Sequence, residues 1–573
     1  MDIHDNQVVE EVYAMPTMFG VDNALEDENY IQAFKASSDP DTMYHHQAMQ
    51  EPDRDRFREA MTKEWDGQAN NKNFTLMRRS DVPEGATILP AVWQMRRKRD
   101  VSTGEIKKYK ARLNLDGSKM IKHKHYELTY APVVKWYSIR LVLALTLVNG
   151  WYTQQIDYVL AYPQAPIERE IYMKIPRGME IEGRNKEDYV LKLHRNIYGQ
   201  KQAGRVWYKY LTRKLIEEVG FEKSEVDECV FTRGGVIYLL YTDDSIIAGV
   251  HKEQVENAIR DIEAAGLKIT REGDVQDFLG INIKKLSKTK IKMSQPYLSK
   301  QILKALRLDG RCKKRNIPAP STKTLTRYPD SESFDGSFNY RSVIGQLNYL
   351  EKGTRPDIAF QSHQCARYSA DPKVEHGQAV RWLGRYIAAT ADEGLIIEPD
   401  ESKGLEVYVD SDFAGLWDKL DTSNRDTARS RHGYIILYNK VPVIWKSQLQ
   451  NEIALSTTEA EYTGLSYSLR EAIPIMNLLK ELKSRGFDIN DQKTKVHCKV
   501  FEDNSGAIEI AREDKYRPRT KHLNIRLHHF RTYIENGSLS VHKIDSKDQP
   551  ADLLNKPLDE STTSKHRKFL MGW

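Results

Sequence analysis

The sequence predicts a chain of mixed α and β structure in two to four domains, α+β in its first half and α/β at its end. Three observations carry this. Its 573 residues and 66.3 kDa are about four times the usual domain length of roughly 150 residues. A composition of 40% hydrophobic and 29% charged residues, with 21 Pro and 32 Gly, is that of a globular protein and excludes disordered, collagenous and coiled-coil classes. Short apolar strand runs alternate with helical runs from about residue 71 to 285, and a β-β-β-α-β-α order follows from Leu405.

Taken in order, residues 1–70 carry 5 Lys/Arg against 16 Asp/Glu, an acidic leader with a helix from Asp53 to Asp66 and little to bury before it. ATILPAVWQM and IKKYKARLNL have the pattern of strands, YSIRLVLALTLVNG that of a helix and WYTQQID that of a strand. GRVWYKYLTRKLIEEVGF is an amphipathic helix closed by Gly220. VIYLLY and SIIAGV flank the polar turn Thr242-Asp243-Asp244 and make a hairpin. Residues 318–338, rich in Pro, Ser, Thr and Asp, are a linker, and one helical stretch runs from Tyr340 to about Thr390. LEVYVD, HGYIILYNK and VPVIWKSQ are then strands, followed by a helix from about Thr458 to Arg485, the strand KVHCKVFED and a further helix. There is no internal repeat.

The net charge is +6, unevenly spread. Residues 71–130 carry 14 Lys/Arg against 6 Asp/Glu, and such a basic balance beside an acidic leader suggests a polyanion partner. A solvated surface is the bland alternative. Arg96-Arg97-Lys98-Arg99 has the form of a nuclear-import signal, but an exposed strand edge explains it better. The longest apolar run, Leu141 to Val148, is far short of the ~20 residues of a membrane span, and MDIHDNQ lacks the features of a signal peptide. These features predict an intracellular protein with no membrane partner, leaving cytoplasmic particle and nucleus open. Four dispersed cysteines, Cys229, Cys312, Cys365 and Cys498, fit reduced structural thiols.

Chemistry concentrates in acidic residues at strand ends. Asp157 ends one strand run, and Asp243 and Asp244 sit 86 and 87 residues further on, where two apolar strands meet. Clustered carboxylates repel one another unless a cation neutralises them, and hard Mg²⁺ prefers such oxygens. Asp-Asp is also ordinary turn chemistry. The apolar strands around Y-T-D-D and the Asp-ended strand upstream favour the metal reading.

Y-T-D-D in a hairpin resembles motif C of reverse transcriptases, and QQIDYVLAYPQAPIEREIYMKIPRG resembles their motif A as copia-type LTR retrotransposons write it. KYKARLNLDGSK, YAPVVKWYSIR, IYGQKQAGRVWY, FLGINI, YRSVIGQLNYL, TRPDIAF, VDSDFAG, ALSTTEAEY, EDNSGAI, TKHLNIR and DQPADLLNKPL extend the resemblance in the family's order from about residue 55 to the end. It implies an α+β right-hand polymerase with palm, fingers and thumb, then a helical connection and an α/β ribonuclease H-like domain. The bounds that follow are leader 1–70, fingers and palm 71–285, thumb and connection 286–400, and ribonuclease H 401–573. By resemblance, Asp157, Asp243 and Asp244 are a metal-binding triad, Lys110 and Arg112 lie over the incoming triphosphate, Gln202 lies near the nucleotide, and Tyr162 lies under its sugar. The chain departs from the family in Tyr158-Val159-Leu160-Ala161-Tyr162 and in Gly204, where Pro is usual. These departures bear on substrate affinity and leave the carboxylates in place.

In LEVYVDSDFAG, Glu406, Tyr408 and Asp410 share one strand face, so Asp410 and Asp412 end the strand on the same side. Asp410 fits the family's first ribonuclease ligand position. Ser456-Thr457-Thr458-Glu459 has the S-x-x-E form, which gives Glu459 a capping role. Glu461 instead shares a face with Leu465, Leu469 and Ala472, where a lone carboxylate needs a cation. Asp503 follows a strand directly before a helix, and Asp552 matches the family's final A-D-L-L. His522 or His529 is a candidate auxiliary acid.

The resemblance thus implies an RNA-directed DNA polymerase with ribonuclease H activity. Its cofactors would be two Mg²⁺ per site, with Mn²⁺ as substitute. Its partners would be RNA template, DNA primer, RNA–DNA hybrid and deoxynucleoside triphosphates, with dimerisation left open. One alternative is an inactive retrotransposon remnant that binds nucleic acid. A host-type polymerase is disfavoured by the ribonuclease half. The sequence shows neither an Asp-Thr/Ser-Gly protease motif nor a His/Cys integrase finger.

Overall fold

The computed structural model describes residues 41–100, 103–181, 183–310, 312–320, 324–417, 424–489, 497–512 and 529–573. Among them lie five β-sheets with helices packed on and between them. The first is antiparallel, in the order Thr42–Tyr44, Ala91–Arg99, Ile106–Leu115. Helix Arg54–Asn70 packs on it. Phe57, Met61, Trp93, Met95 and Leu113 form a core there with Met173 and Leu191 from the sheet of Phe74–Arg78, Tyr189–Leu193, Tyr172–Lys174 and Ile88–Leu89.

Two expectations change here. Residues 1–40 of the leader lie outside the described residues, but from residue 41 onward it is integral to the fold, with Met43, Ala48, Phe57 and Met61 buried. Its acidity has a use. Arg97 lies 2.7 Å from Asp53 and 2.8 Å from Glu51, and Arg99 lies 2.6 Å from Asp41. The basic run is therefore no exposed edge: Ala91–Arg99 is the central strand of its sheet, and alternate arginines are spent on internal ion pairs.

A six-stranded antiparallel sheet occupies the middle of the chain, in the order Ile269–Gly273, Tyr152–Tyr158, Asp244–Gly249, Val236–Tyr241, Val230–Arg233, Glu222–Lys223. Helix Ala203–Arg213 is amphipathic, as read, and continues as a π-helical segment over Lys214–Glu218. A four-stranded sheet of Asp277–Phe278, Ile281–Lys285, Ile291–Ser294 and Leu395–Ile397 spans the boundary drawn at residue 285. The single helical stretch expected from Tyr340 is three helices, Tyr340–Thr354, Ala359–Ala366 and Val374–Ala389. The first break falls at Arg355 because the ring of Pro356 drives the preceding residue out of the helical region, to φ −130°, ψ 67°.

The last sheet has the order Val441–Leu449, Arg431–Tyr438, Leu405–Asp412, Cys498–Glu502, Leu539–Lys543, its last two pairings parallel. Helix Thr457–Ser484 crosses its face. The closing strand Leu539–Lys543 was not anticipated, since LSVHK offers only Leu539 and Val541 as buried apolar positions.

Helix Trp136–Asn149 joins these parts. Ten of its fourteen residues are buried, as suits a helix enclosed on all sides, and one of the ten is Arg140. The Arg140 guanidinium donates to Val443 O at 3.0 Å, to Gly353 O at 3.0 Å and to Lys352 O. It also lies 3.9 Å from the ring centroid of Trp445. One cation thus ties the middle of the chain to the end of helix Tyr340–Thr354 and to the edge strand of the last sheet. Arg140→Met should strand these carbonyls and cost about 3–5 kcal/mol. Arg140→Lys should recover only part of that, because one ammonium cannot fork between two elements. Urea unfolding followed by tryptophan fluorescence measures both, and a midpoint unchanged in Arg140→Met would exclude the role.

Candidate active sites

Strand register builds the first acidic cluster. Asp157 pairs directly with Asp244, and Thr270 flanks Asp157 on the other side. The turn that presents Asp243 is strained: Thr242 has φ 56°, and Leu160, just after the Asp157 strand, has φ 50°. Such left-handed backbone costs about 1–3 kcal/mol per side-chain-bearing residue. Local bonds hold it. Trp207 Nε1 donates to Thr242 O at 2.6 Å, and Tyr158 N donates to Asp243 O at 3.1 Å.

Burial raises the Asp157 carboxyl to about 6 and the Asp244 carboxyl to about 7, and the charge of Asp243 adds to both. Cations approach from strand Ile106–Leu115. Arg112 Nη2 lies 4.0 Å from Asp243 Oδ2, with its guanidinium 4.7 Å from the Tyr198 ring centroid. Lys110 shares its strand face. Solvent still reaches Lys110, while the surrounding protein and then the neighbouring Arg112 push its pKa down to about 8. The Tyr162 ring lies 4.9 Å from Tyr198, and burial raises its hydroxyl to about 12. Gln202 caps helix Ala203–Arg213, buried, with neither amide atom hydrogen-bonded among the described residues. A Cβ at Gly204 would meet Ala131 and the Tyr162 hydroxyl at 3.6 Å, ordinary contact, so sterics alone do not require glycine there.

The second cluster depends on a close approach of helix to sheet. A Cβ at position 464 would stand 2.5 Å from Ser411 Oγ, so glycine lets helix Thr457–Ser484 settle onto strand Leu405–Asp412. Glu461, one turn earlier, is thereby brought to Asp410. Oxygens of Asp410, Glu461 and Asp503 lie within 4.8 Å of one another, close enough to share a cation. Glu461 is buried, its Oε2 has no hydrogen-bond partner among the described residues, and desolvation followed by the charge of Glu502 holds its carboxyl well above the usual range. An orphaned buried oxygen on an all-carboxylate donor set fits a hard divalent ion. Asp552, in the turn Pro550–Leu554, adjoins Asp410 through a side-chain hydrogen bond and is not one of the three whose oxygens converge. Its carboxyl is pushed up to about 8 by burial and Asp410, and Lys556 Nζ lies 2.6 Å away. Glu459 caps its helix: Ser456 Oγ accepts from Glu459 N at 3.1 Å, and Glu459 Oε2 accepts from Leu455 N at 2.8 Å. His522 lies outside the described residues. His529 is exposed, against Phe530.

Three neighbours escaped the sequence reading. Glu502 is fully buried on the Cys498–Val500 face of its strand, a parity visible in the sequence. Asn555 Nδ2 donates to Asp410 Oδ2. Lys556 follows Asp552 by four residues, a helical pairing distance that could have been noticed.

Residues 71–320 match the family described as reverse transcriptase (RNA-dependent DNA polymerase). The chain is 30% identical over 523 residues, 89% of its length, to the retrovirus-related Pol polyprotein from transposon TNT 1-94 of Nicotiana tabacum. It is 31% identical over 543 residues, 94% of its length, to that from transposon RE2 of Arabidopsis thaliana. It spans 37% and 35% of those relatives, roughly a third of each. A solved foamy viral protease-reverse transcriptase in complex with double-stranded DNA covers 86% of this chain and 70% of its own, at 13% identity and TM-score 0.43.

The raised carboxyls of Asp157 and Asp244 make a pH prediction. Between about pH 4 and pH 7 the folded chain holds protons that the unfolded chain has released, so in the absence of metal this pair favours folding at low pH, and that contribution is lost as pH rises through 6 and 7. Asp244→Asn should therefore stabilise the metal-free protein by about 2 kcal/mol at pH 7.5, with the gain shrinking toward pH 4.5. Unfolding in EDTA at the two pH values checks this. A gain independent of pH would point to another cause.

Proposed function

The chain belongs to the copia-type family of retrotransposon Pol polyproteins, and from that premise we propose that it is an RNA-directed DNA polymerase joined to a ribonuclease H. The observation that carries the reading is the register that sets Asp157 against Asp244 beside a strained Asp243 turn. On this reading the six-stranded sheet is the palm, the two sheets formed by strands of residues 42–115 and 172–193 belong to the fingers, the second joining Phe74–Arg78 and Ile88–Leu89 to Tyr172–Lys174 and Tyr189–Leu193, and residues 286–400 supply thumb and connection. The last sheet with its helices, residues 401–573, is the ribonuclease half.

Asp157, Asp243 and Asp244 would hold the divalent ions of the first site, and Asp410, Glu461, Asp503 and Asp552 those of the second. Bound Mg²⁺ supplies charge stabilisation to attacking and leaving oxygens. The protein's own groups do the rest. Arg112 and Lys110 face the acidic cluster from the fingers strand, where they bind the triphosphate of an incoming deoxynucleotide. A Lys110 near 8 is partly neutral at physiological pH until that anion restores its charge. Gln202 offers a buried amide with unused donors and acceptor, suited to orienting the nucleotide. The primer 3′-hydroxyl then attacks the α-phosphate, and water attacks the RNA strand of the hybrid at the second cluster. Primer extension on poly-rA/oligo-dT with Mg²⁺, scored beside release of labelled RNA from a hybrid, tests both. A folded protein that binds the primer–template without extending it would be the inactive remnant.

The two activities should separate. Asp243→Asn should abolish extension and spare hybrid cleavage, and Glu461→Gln should do the reverse. Glu459→Gln should leave cleavage within about threefold, since a helix cap is worth only about 1 kcal/mol; its loss of cleavage would reverse the roles given to the two glutamates.

Tyr162 makes a further test. Held between Tyr198 and the Asp243 side of the cluster, its ring would leave no room for a ribose 2′-hydroxyl, so selectivity would come from a clash with the wrong substrate. Tyr162→Ala should lower the ratio of kcat/KM for dGTP over GTP by about tenfold or more while keeping much of the dGTP rate. An unchanged ratio would remove Tyr162 from the site.

A further inference from the structure

The four carboxylates assigned to the second site are not equivalent. Oxygens of Asp410, Glu461 and Asp503 converge within 4.8 Å. Asp552 instead lies beside Asp410, close enough to share a side-chain hydrogen bond, and one cation of the chain contacts both. Lys556 Nζ is 2.6 Å from Asp552 Oδ1 and 3.5 Å from Asp410 Oδ2. The Lys556 side chain is 38% exposed, against 11% for Asp552 and 5% for Asp410, so the lysine reaches the pair from the solvent side. Asn555, itself buried, donates to the same Asp410 oxygen. Two buried carboxylates this close need a shared proton or a cation beside them, and an ammonium and a divalent ion would compete for the same oxygens.

We propose that Lys556 is a built-in counter-ion that occupies the second cation position, between Asp410 and Asp552, and must swing out before a divalent ion can bridge them. The proposal rests on reading this cluster as the ribonuclease H site. A first divalent ion then loads at Asp410, Glu461 and Asp503 without disturbing Lys556. A second must displace a tethered ammonium, whose effective concentration is that of an intramolecular partner. The displaced ammonium stays at the mouth of the site, where the phosphate backbone of a bound hybrid offers the complementary charge. Loading of the second ion is thereby coupled to arrival of nucleic acid, which protects the free protein from holding a fully armed nuclease site.

The test counts bound Mn²⁺ by electron paramagnetic resonance in the full chain, in an Asp157→Asn/Asp243→Asn background that silences the first site. Without nucleic acid, the Lys556 protein should bind one ion tightly and a second weakly. Lys556→Met should bind the second about tenfold tighter or more, and Lys556→Arg should match lysine. Lys556→Gln gives the same comparison should the methionine variant not melt cooperatively. A second-ion affinity in the neutral variants within about twofold of lysine would overturn the inference, as would arginine behaving like methionine. If the Lys556 protein binds no Mn²⁺ that Asp410→Asn removes, both the site reading and the inference fall together.

Discussion

The fold depends on a single buried guanidinium. Arg140 sits in a largely apolar helix, where burying a charge is costly unless it is hydrogen-bonded, and both of its terminal nitrogens are. Its partners are carbonyls: two at the C-terminal end of helix Tyr340–Thr354, where the helix dipole is negative, and one on the edge strand Val441–Leu449. Trp445 beneath it also donates to Glu351, a buried carboxylate. The same interaction therefore satisfies a helix terminus, covers a sheet edge and offsets a buried acid. Around it one continuous apolar cluster runs from Val134 to Met571 and takes in residues of both the six-stranded and the five-stranded sheets. The two carboxylate clusters accordingly stand on one packed body, and the five-stranded sheet cannot shift from helix Trp136–Asn149 without disturbing a bond of Arg140.

Both clusters face the same electrostatic difficulty and meet it differently. At the first, cations stand on a strand of another sheet: Arg112 is 4.0 Å from Asp243, its guanidinium lies over the Tyr198 ring, and Tyr162 packs on Tyr198. That leaves the carboxylates open to a ligand between them and the basic strand. At the second, Lys556 comes from the turn after Asp552 and enters the cluster itself. In the first arrangement the positive charge stands opposite the carboxylates; in the second it lies among them and partly neutralises them.

Much of this was legible in the sequence, and the failures have physical causes. The Asp157 strand, the hairpin and the Asp410 strand were readable because apolar runs of β-branched and aromatic residues end in acids. The separation of Glu459 from Glu461 was readable because helical periodicity and cap spacing give different answers two residues apart, and the structure gives Glu459 its cap bonds and buries Glu461. The leader was misjudged because its acids look like solvated surface until Arg97 and Arg99 are known to face them. The helix break at Arg355 was announced by Pro356 and overlooked within a strongly helical pattern. Asn555 gave no local signal, since its meaning lies in a contact with a strand distant in sequence, whereas strand parity alone puts Glu502 on the buried face.

What the sequence could not express is how the acids are brought together. At the first cluster register sets Asp157 against Asp244, and backbone strain adds Asp243: Thr242 and Leu160 adopt left-handed conformations that neither residue prefers, with bonds from Trp207 and Tyr158 holding the turn. At the second it is a missing side chain, since the absence of a Cβ at Gly464 sets the depth to which the helix sinks. Each device costs stability, through strained dihedrals in one case and the helix penalty of glycine in the other, about 1 kcal/mol. Each also brings carboxylates close enough to repel one another. Apolar packing elsewhere must therefore carry the metal-free protein, and the long shared cluster around Arg140 is where that packing lies.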